Sequence, residues 1–275
     1  MLTMEESLEW RAEKRGSSPT EVRNIFCTYE DRFDQCLSGR HPWVFRADGV
    51  CFSKWTKKAC RKPFDPAMVY AMMIAAVDLL KFSNCATEAY VQSDEISLLV
   101  PALQNTESQL IYRGRVNKIN SIFTSVVTQS FNKTFREFCS KEYTPAYFDG
   151  RTFGVGLEEG QDLRSYLTYR QGDNHRNSVH AYAHSIFGHK KLEGKSVPEM
   201  KQMCFEKGKN WYDLPEHLRF GTYITKKTVE RTLREEELLA IPEKYRPAED
   251  ELVKRTEYFF NGKSIIDMCK EIFKG

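Results

Sequence analysis

The segment Tyr90–Val100, Tyr-Val-Gln-Ser-Asp-Glu-Ile-Ser-Leu-Leu-Val, decides the fold. Tyr90 and Val91 end one extended arm, and Ile96, Leu98 and Leu99 lie in a second; β-branched and apolar residues suit half-buried strands. Ser93 and Asp94 supply the tight turn between the arms. The tip therefore carries two acids, Asp94 and Glu95, beside the end of a neighbouring strand. Held cations and bulk water both stabilise carboxylates in such a place, and Ser-Asp is an ordinary turn pair. The segment alone leaves both readings open.

Working outward, Trp43–Phe52 reads as a strand with Asp48-Gly49 at or just past its end. A carboxylate and a bare backbone carbonyl can converge there on one cation, and Mg²⁺ takes oxygen ligands in octahedral geometry. Asp-Gly is also a common turn pair. Lys57–Arg61 reads as a basic loop. Asp65 as N-cap and Pro66 at the first position open a helix that runs to about Phe82, and Lys62 just before it suits a phosphate. Beyond the hairpin, Val116–Cys139 reads as a helix with Ile119, Phe123, Val127 and Phe131 on its buried stripe. Arg115 and Lys118 stand near its start, where cations oppose the helix dipole and so point to an anion. Pro145–Thr152 reads as a fourth strand. Strand, helix, strand, strand, helix, strand is the split β-α-β order: an α+β fold whose antiparallel sheet carries two helices on one face. In that topology the first strand lies beside the hairpin, so Asp48 and Asp94 become neighbours although 46 positions separate them.

The remainder frames this core. Residues 1–40 read as a charged helical annex, with one helix over Met4–Lys14 and a second from Thr20 to Gln35. The core spans 41–155. Residues 156–225 read as a helical part completing the fold, and 226–275 as a charged helical tail. Within 161–189, Arg164, Tyr166, Tyr169, Arg170, His175, Arg176 and Asn177 mix cations, amides and aromatics, as an RNA surface does. His180 and His184 are spaced i, i+4, but the segment His-Ala-Tyr-Ala-His lacks the Glu of a zinc hydrolase and shows no third ligand. A chain of 275 residues with net charge +3 has room for a full core and is no polybasic coat. Its eight Cys form no C-x-x-C pair, and Glu5, Glu6 and Glu9 stand where a signal peptide would be apolar. Free thiols in a reducing compartment follow, hence a cytoplasmic or organelle-matrix setting. The longest apolar run, Ala67–Val77, is too short to span a bilayer.

Six short motifs occur in order: Asp48-Gly49, Lys62-Pro63-Phe64-Asp65, Gln92-Ser93-Asp94-Glu95-Ile96-Ser97, Arg115-x-x-Lys118, Phe148-Asp149-Gly150-Arg151 and Tyr166-Leu167-x-x-Arg170-Gln171. As a set, over roughly residues 43–224, they resemble the tRNA-histidine guanylyltransferase superfamily, which extends RNA at its 5′ end. The resemblance implies a polymerase- or cyclase-like palm and two Mg²⁺ ions bridged by Asp48 and Asp94, with the Gly49 carbonyl on one of them. Glu95 joins the catalytic acids in the same motif, although strand alternation turns it away from Asp94. The resemblance further implies that Lys62, Asp65, Ser93, Arg115 and Lys118 surround nucleoside triphosphates such as ATP and GTP, helped by the backbone of Val50, Cys51, Phe52 and Ser53. Arg170, His175, Arg176 and Asn177 would face tRNA, and the assembly would be a homotetramer with no membrane association. Val50-Cys51-Phe52-Ser53 departs from the usual Arg-x-Phe-His, and His175-Arg176-Asn177-Ser178 departs from the eukaryotic His-Ile-Asn-Asn. Arg176-Asn177-Ser178-Val179 and the segment Gly208–Gly221 look more like the guanylyltransferase-like branch, which repairs truncated tRNA 5′ ends by templated 3′-to-5′ addition. A dedicated histidine-tRNA enzyme, a palm nucleotidyl cyclase and a non-catalytic RNA-binding protein are the alternatives.

Overall fold

The computed structural model describes residues 19–105, 108–156, 161–248 and 250–273. β1 (Trp43–Gly49), β2 (Glu88–Gln92), β3 (Glu95–Val100) and β4 (Phe148–Gly154) form the expected sheet. Every neighbouring pair is antiparallel, and the spatial order runs β4-β1-β3-β2. Ser93-Asp94 is the two-residue link of the β2–β3 hairpin, with Gln92 paired to Glu95 and Ser93 in the left-handed region at φ 48°.

Alternation along the strands separates two faces. Phe45, Ala47, Ile96 and Leu98 belong to the main core. α1 (Pro19–Asp31) lies outside that core with its described side chains exposed, and the expected helix over Met4–Lys14 falls outside the described residues. The core is closed by α2 (Phe52–Ala59), α3 (Pro66–Ser83) and α4 (Val116–Phe138), on which Phe52, Trp55, Phe123, Phe131 and Phe135 interlock with Phe45 and Phe148. α3 is long and apolar enough to cross a membrane by length and composition. Ala71, Met72, Ala75 and Leu79 are instead completely buried in the core. On the other face, Glu95 and Ser97 meet α5 (Leu163–Phe187) through Arg170 and Tyr166. A second small core of Val179, Ala183, Leu192, Met200, Cys204 and Trp211 joins α5 to α6 (His189–Leu192) and α7 (Val197–Glu206).

Three sequence expectations are corrected. The strand from Trp43 ends at Gly49, and the expected basic loop begins inside α2. The tail is not a helical appendage. After α8 (Glu216–Phe220), β5 (Thr222–Arg231) pairs with β2, and β6 (Val253–Phe260) pairs with β5, so the sheet has six strands in the order β4-β1-β3-β2-β5-β6. Among the described residues, only α9 (Glu235–Leu239) and α10 (Ile265–Phe273) are α-helical beyond residue 226. The charges that suggested a solvated helix pair with one another instead: Arg231 bonds Glu257 across β5 and β6, Arg234 also bonds Glu257, and Arg231 also bonds Glu237 on α9. Interspersed Thr, Val, Tyr and Phe give these segments their strand preference.

Candidate active site

β1 and the hairpin bring the acids together as the topology requires. Asp48 sits opposite Glu95 on β3 and, across the other edge of β1, opposite Asp149 on β4. Asp94 follows directly at the hairpin tip. Burial pushes its carboxyl up to about 6, opposed by its bond to Ser93, and the charge of Asp48 pushes the same way. A buried carboxylate held beside a second one without a cation is costly, because the neighbouring charge disfavours its ionisation.

Gly49 leads into a turn that only glycine fits, since a Cβ there would lie 2.1 Å from Cδ2 of Phe52. Cys51, at φ 55°, then starts α2 without a side-chain cap. The Val50 amide is taken by the Tyr147 carbonyl at 2.8 Å, which removes it from the expected phosphate cradle. The amides of Cys51, Phe52 and Ser53 have no acceptor among the described residues. Such an uncapped helix start suits an anion.

Other candidates change role. The Asp65 carboxylate accepts from Arg61 N at 2.6 Å, Ala67 N at 2.9 Å and Met68 N at 3.4 Å, so it caps α3. Lys62 remains exposed, with Nζ 2.8 Å from Thr56 Oγ1, and shares a cavity wall with Ser93. Arg115 and Lys118 are not brought to the acids. Asn120 bonds Thr152, which lies opposite Phe45, three residues back along β1 from Asp48, and α4 begins still further away. Arg115 is paired with Asp34 there, and Lys118 lies over the Tyr112 ring. The dipole argument fails because that cation answers a protein carboxylate.

Glu95 is likewise corrected as a catalytic acid. It is buried on the α5 face, where Arg170 holds both oxygens at 2.9 and 2.6 Å and Gln92 donates at 3.1 Å. Arg170, expected at RNA, is spent on Glu95 and Asp173. His175 is enclosed by Lys201, Trp211 and Phe220. Arg176 and Asn177 stay exposed, Arg176 with Asp173 at 3.0 Å. His189 packs beside His184, which stacks on His180. Among the described residues, however, no three His, Cys, Asp or Glu side chains form a metal cluster.

The donor set around Asp94 is of another kind. It has two carboxylates and a backbone carbonyl, all oxygen, with coordination left for water and phosphate, as Mg²⁺ sites on nucleotides have. The uncompensated negative charge at Asp48 and Asp94 fits a divalent cation. Sequence reasoning missed Asp149 as a neighbour of Asp48, and it missed Asn174, His217 and Glu271. The last three are joined only by the packing of α5, α8 and α10, and no local signal marks them.

Paired acids at the end of a palm sheet, beside an open helix start and a cationic cavity, define the class: a palm-type nucleotidyltransferase. The model of the tRNAHis guanylyltransferase family matches residues 23–156. An uncharacterized protein of Acanthamoeba polyphaga mimivirus is 28% identical over 223 residues, 73% of this chain and 75% of the relative. A probable tRNA(His) guanylyltransferase of Dictyostelium discoideum is 28% identical over 207 residues, 70% and 78% of the two chains. The structure of a bacterial tRNA(His) guanylyltransferase-like protein in complex with ATP superposes with TM-score 0.70 at 27% identity, covering 92% of this chain and 97% of the other. A structure of a bacterial protein of the same description, in complex with GTP, gives 0.62 at 29% identity over 75% and 86%. These matches support the tRNA-histidine guanylyltransferase superfamily for this chain, with a tRNA guanylyltransferase-like function.

Proposed function

We propose that this enzyme adds nucleotides to the 5′ end of tRNA in the 3′-to-5′ direction, choosing each by pairing with the opposing base of the acceptor stem. The observation that carries this is the convergence of Asp48 and Asp94 at one sheet end, beside the free amides of Cys51–Ser53 and the cavity at Lys62. Two Mg²⁺ ions fit at Asp48, Gly49 and Asp94, and when bound they would activate a hydroxyl nucleophile and offset charge on the leaving phosphate oxygen. The protein's own part is positional. The start of α2 and Lys62 hold a triphosphate, and Ser93 closes the same wall. A 5′-monophosphate is activated with ATP, or an existing 5′-triphosphate serves directly. The 3′-hydroxyl of the incoming nucleotide then attacks the 5′ α-phosphorus, and adenylate or pyrophosphate leaves accordingly.

The templated reading is supported by the fate of Arg170 and His175. A dedicated histidine-tRNA enzyme must read an anticodon with protein groups, but here Arg170 is buried in an ion pair and His175 is packed among aromatics. Four truncated tRNAs differing only in the base opposite the gap provide the test. Addition that tracks the complement is expected. Guanosine on all four, or only on histidine tRNA, would establish the dedicated enzyme instead. A homotetramer is part of the same reading, and a monomer by light scattering at micromolar concentration would remove it.

A further inference from the structure

Beside the acids, between the start of α3 and the middle of α5, lies a cavity of about 170 Å³. Met68, Met72, Met73 and Leu218 give it apolar walls, and Lys62 and Ser93 stand on its lining. A cavity of about 150 Å³ accepts benzene, so the enclosed part suits a flat heterocycle, with sugar and phosphates outside it.

Two polar residues on the lining have spare hydrogen-bonding capacity. Asn174 is 5% exposed, and its Nδ2 has no partner among the described residues. A native structure keeps such a donor where a ligand or water can take it; Asn174 stands on the cavity lining, and its terminal torsion is broad. His217, on α8, is also buried, and its Nδ1 lies 3.0 Å from Glu271 Oε1 on α10. Lys263 holds the other oxygen of Glu271. Burial keeps the imidazole pKa below its ordinary value despite Glu271. In Glu271, burial opposes ionisation, but the bonds from Lys263 and His217 outweigh it and hold the carboxyl below its ordinary value. The neutral ring therefore donates Nδ1–H to the carboxylate and presents Nε2 as an acceptor. Nε2 has no partner among the described residues.

We propose that Asn174 and His217 are the base-reading end of the site for the activating nucleoside triphosphate, not for the incoming nucleotide that pairs with RNA, taking a purine whose adjacent acceptor and donor pair with the amide and with Nε2, while Glu271 fixes the imidazole tautomer. The proposal rests on the nucleotide-site reading above and assigns the C-terminal β5–β6–α10 unit a part in it. Adenine offers N1 beside its N6 amino group, and guanine offers O6 beside N1–H. The space beyond a benzene ring favours the bicyclic base.

The test is equilibrium binding of ATP, GTP, CTP, UTP and inorganic triphosphate to the full chain with Mg²⁺ and no RNA, for the natural protein and for His217→Phe, Asn174→Leu and Glu271→Gln. Each variant's thermal unfolding is followed alongside. His217→Phe and Asn174→Leu should each weaken purine nucleotides by about tenfold, the loss expected for one buried hydrogen bond. Inorganic triphosphate should bind all variants alike, and Glu271→Gln should fall between. If His217→Phe does not fold, Asn174→Leu carries the same comparison. Unchanged purine affinity, or equal weakening of inorganic triphosphate, would overturn the proposal. Purine binding lost in the variants but no RNA extension by the natural protein would sustain it and defeat the polymerase reading instead.

Discussion

Replacing Asp94 by Asn should stabilise the protein when no divalent cation is present. The folded-state carboxyl is lifted from 3.8 to about 6, first by burial and then by Asp48. Below pH 3.8 both folded and unfolded chains are protonated, and the full stability is present. Between 3.8 and 6 the folded chain binds more protons than the unfolded one, so stability falls as pH rises; above about 6 the loss is complete. A shift of about 2 units corresponds to roughly 3 kcal/mol, and the water that reaches this half-buried group lowers that to about 2 kcal/mol. For a chain of this size the gain in Tm is roughly 4–8 °C. Thermal unfolding in EDTA at pH 8 should show Asp94→Asn melting above the natural protein, and the two curves should meet at pH 3.5. Adding Mg²⁺ should raise the natural protein toward the variant and leave the variant unchanged. A variant that melts at or below the natural protein in EDTA at pH 8 would refute the account of uncompensated charge at this site.

Asp48→Ala and Asp94→Ala should each abolish nucleotide addition yet retain tRNA in a gel-shift assay; natural rates at saturating Mg²⁺ would sink the metal assignment. Glu95→Gln should lower unfolding free energy in urea by about 2–3 kcal/mol, less than the cost of an unpaired buried charge because Asp173 still holds Arg170, while turnover per folded molecule stays close to natural. Lost turnover at unchanged stability would return Glu95 to the chemistry. Lys62→Ala should raise the nucleotide concentration for half-maximal rate severalfold and leave the RNA requirement alone, whereas Arg115→Ala should move neither. Equal effects of the two on the nucleotide requirement would contradict the separation of Arg115 from the acids.

The sequence by itself determined the palm. Strand preference and a turn pair in Tyr90–Val100, the Asp65-Pro66 helix cap and the 3.6-residue apolar stripe of α4 are local signals. The order of elements then forced β1 beside the hairpin, so Asp48 and Asp94 were legible as partners without any coordinates. Tertiary structure decided what depends on long-range pairing. Thr222–Arg231 and Val253–Phe260 are charged enough to read as solvated helix, and only an available edge at β2 makes them strands. The roles of polar residues were decided in the same way. Asp65, Arg115, Glu95 and Arg170 all look like ligand-binding groups in a string of letters. Each proves to be satisfied by a protein partner, because a buried charge or an uncapped helix end takes whatever complementary group packing places within reach. His217 and Glu271 show the converse: 54 residues apart, they acquire a shared orientation only when α10 folds back against α8. Local period fixes which residues are buried, but only packing from distant parts of the chain fixes whether a buried polar atom already has its partner or still offers itself to a ligand.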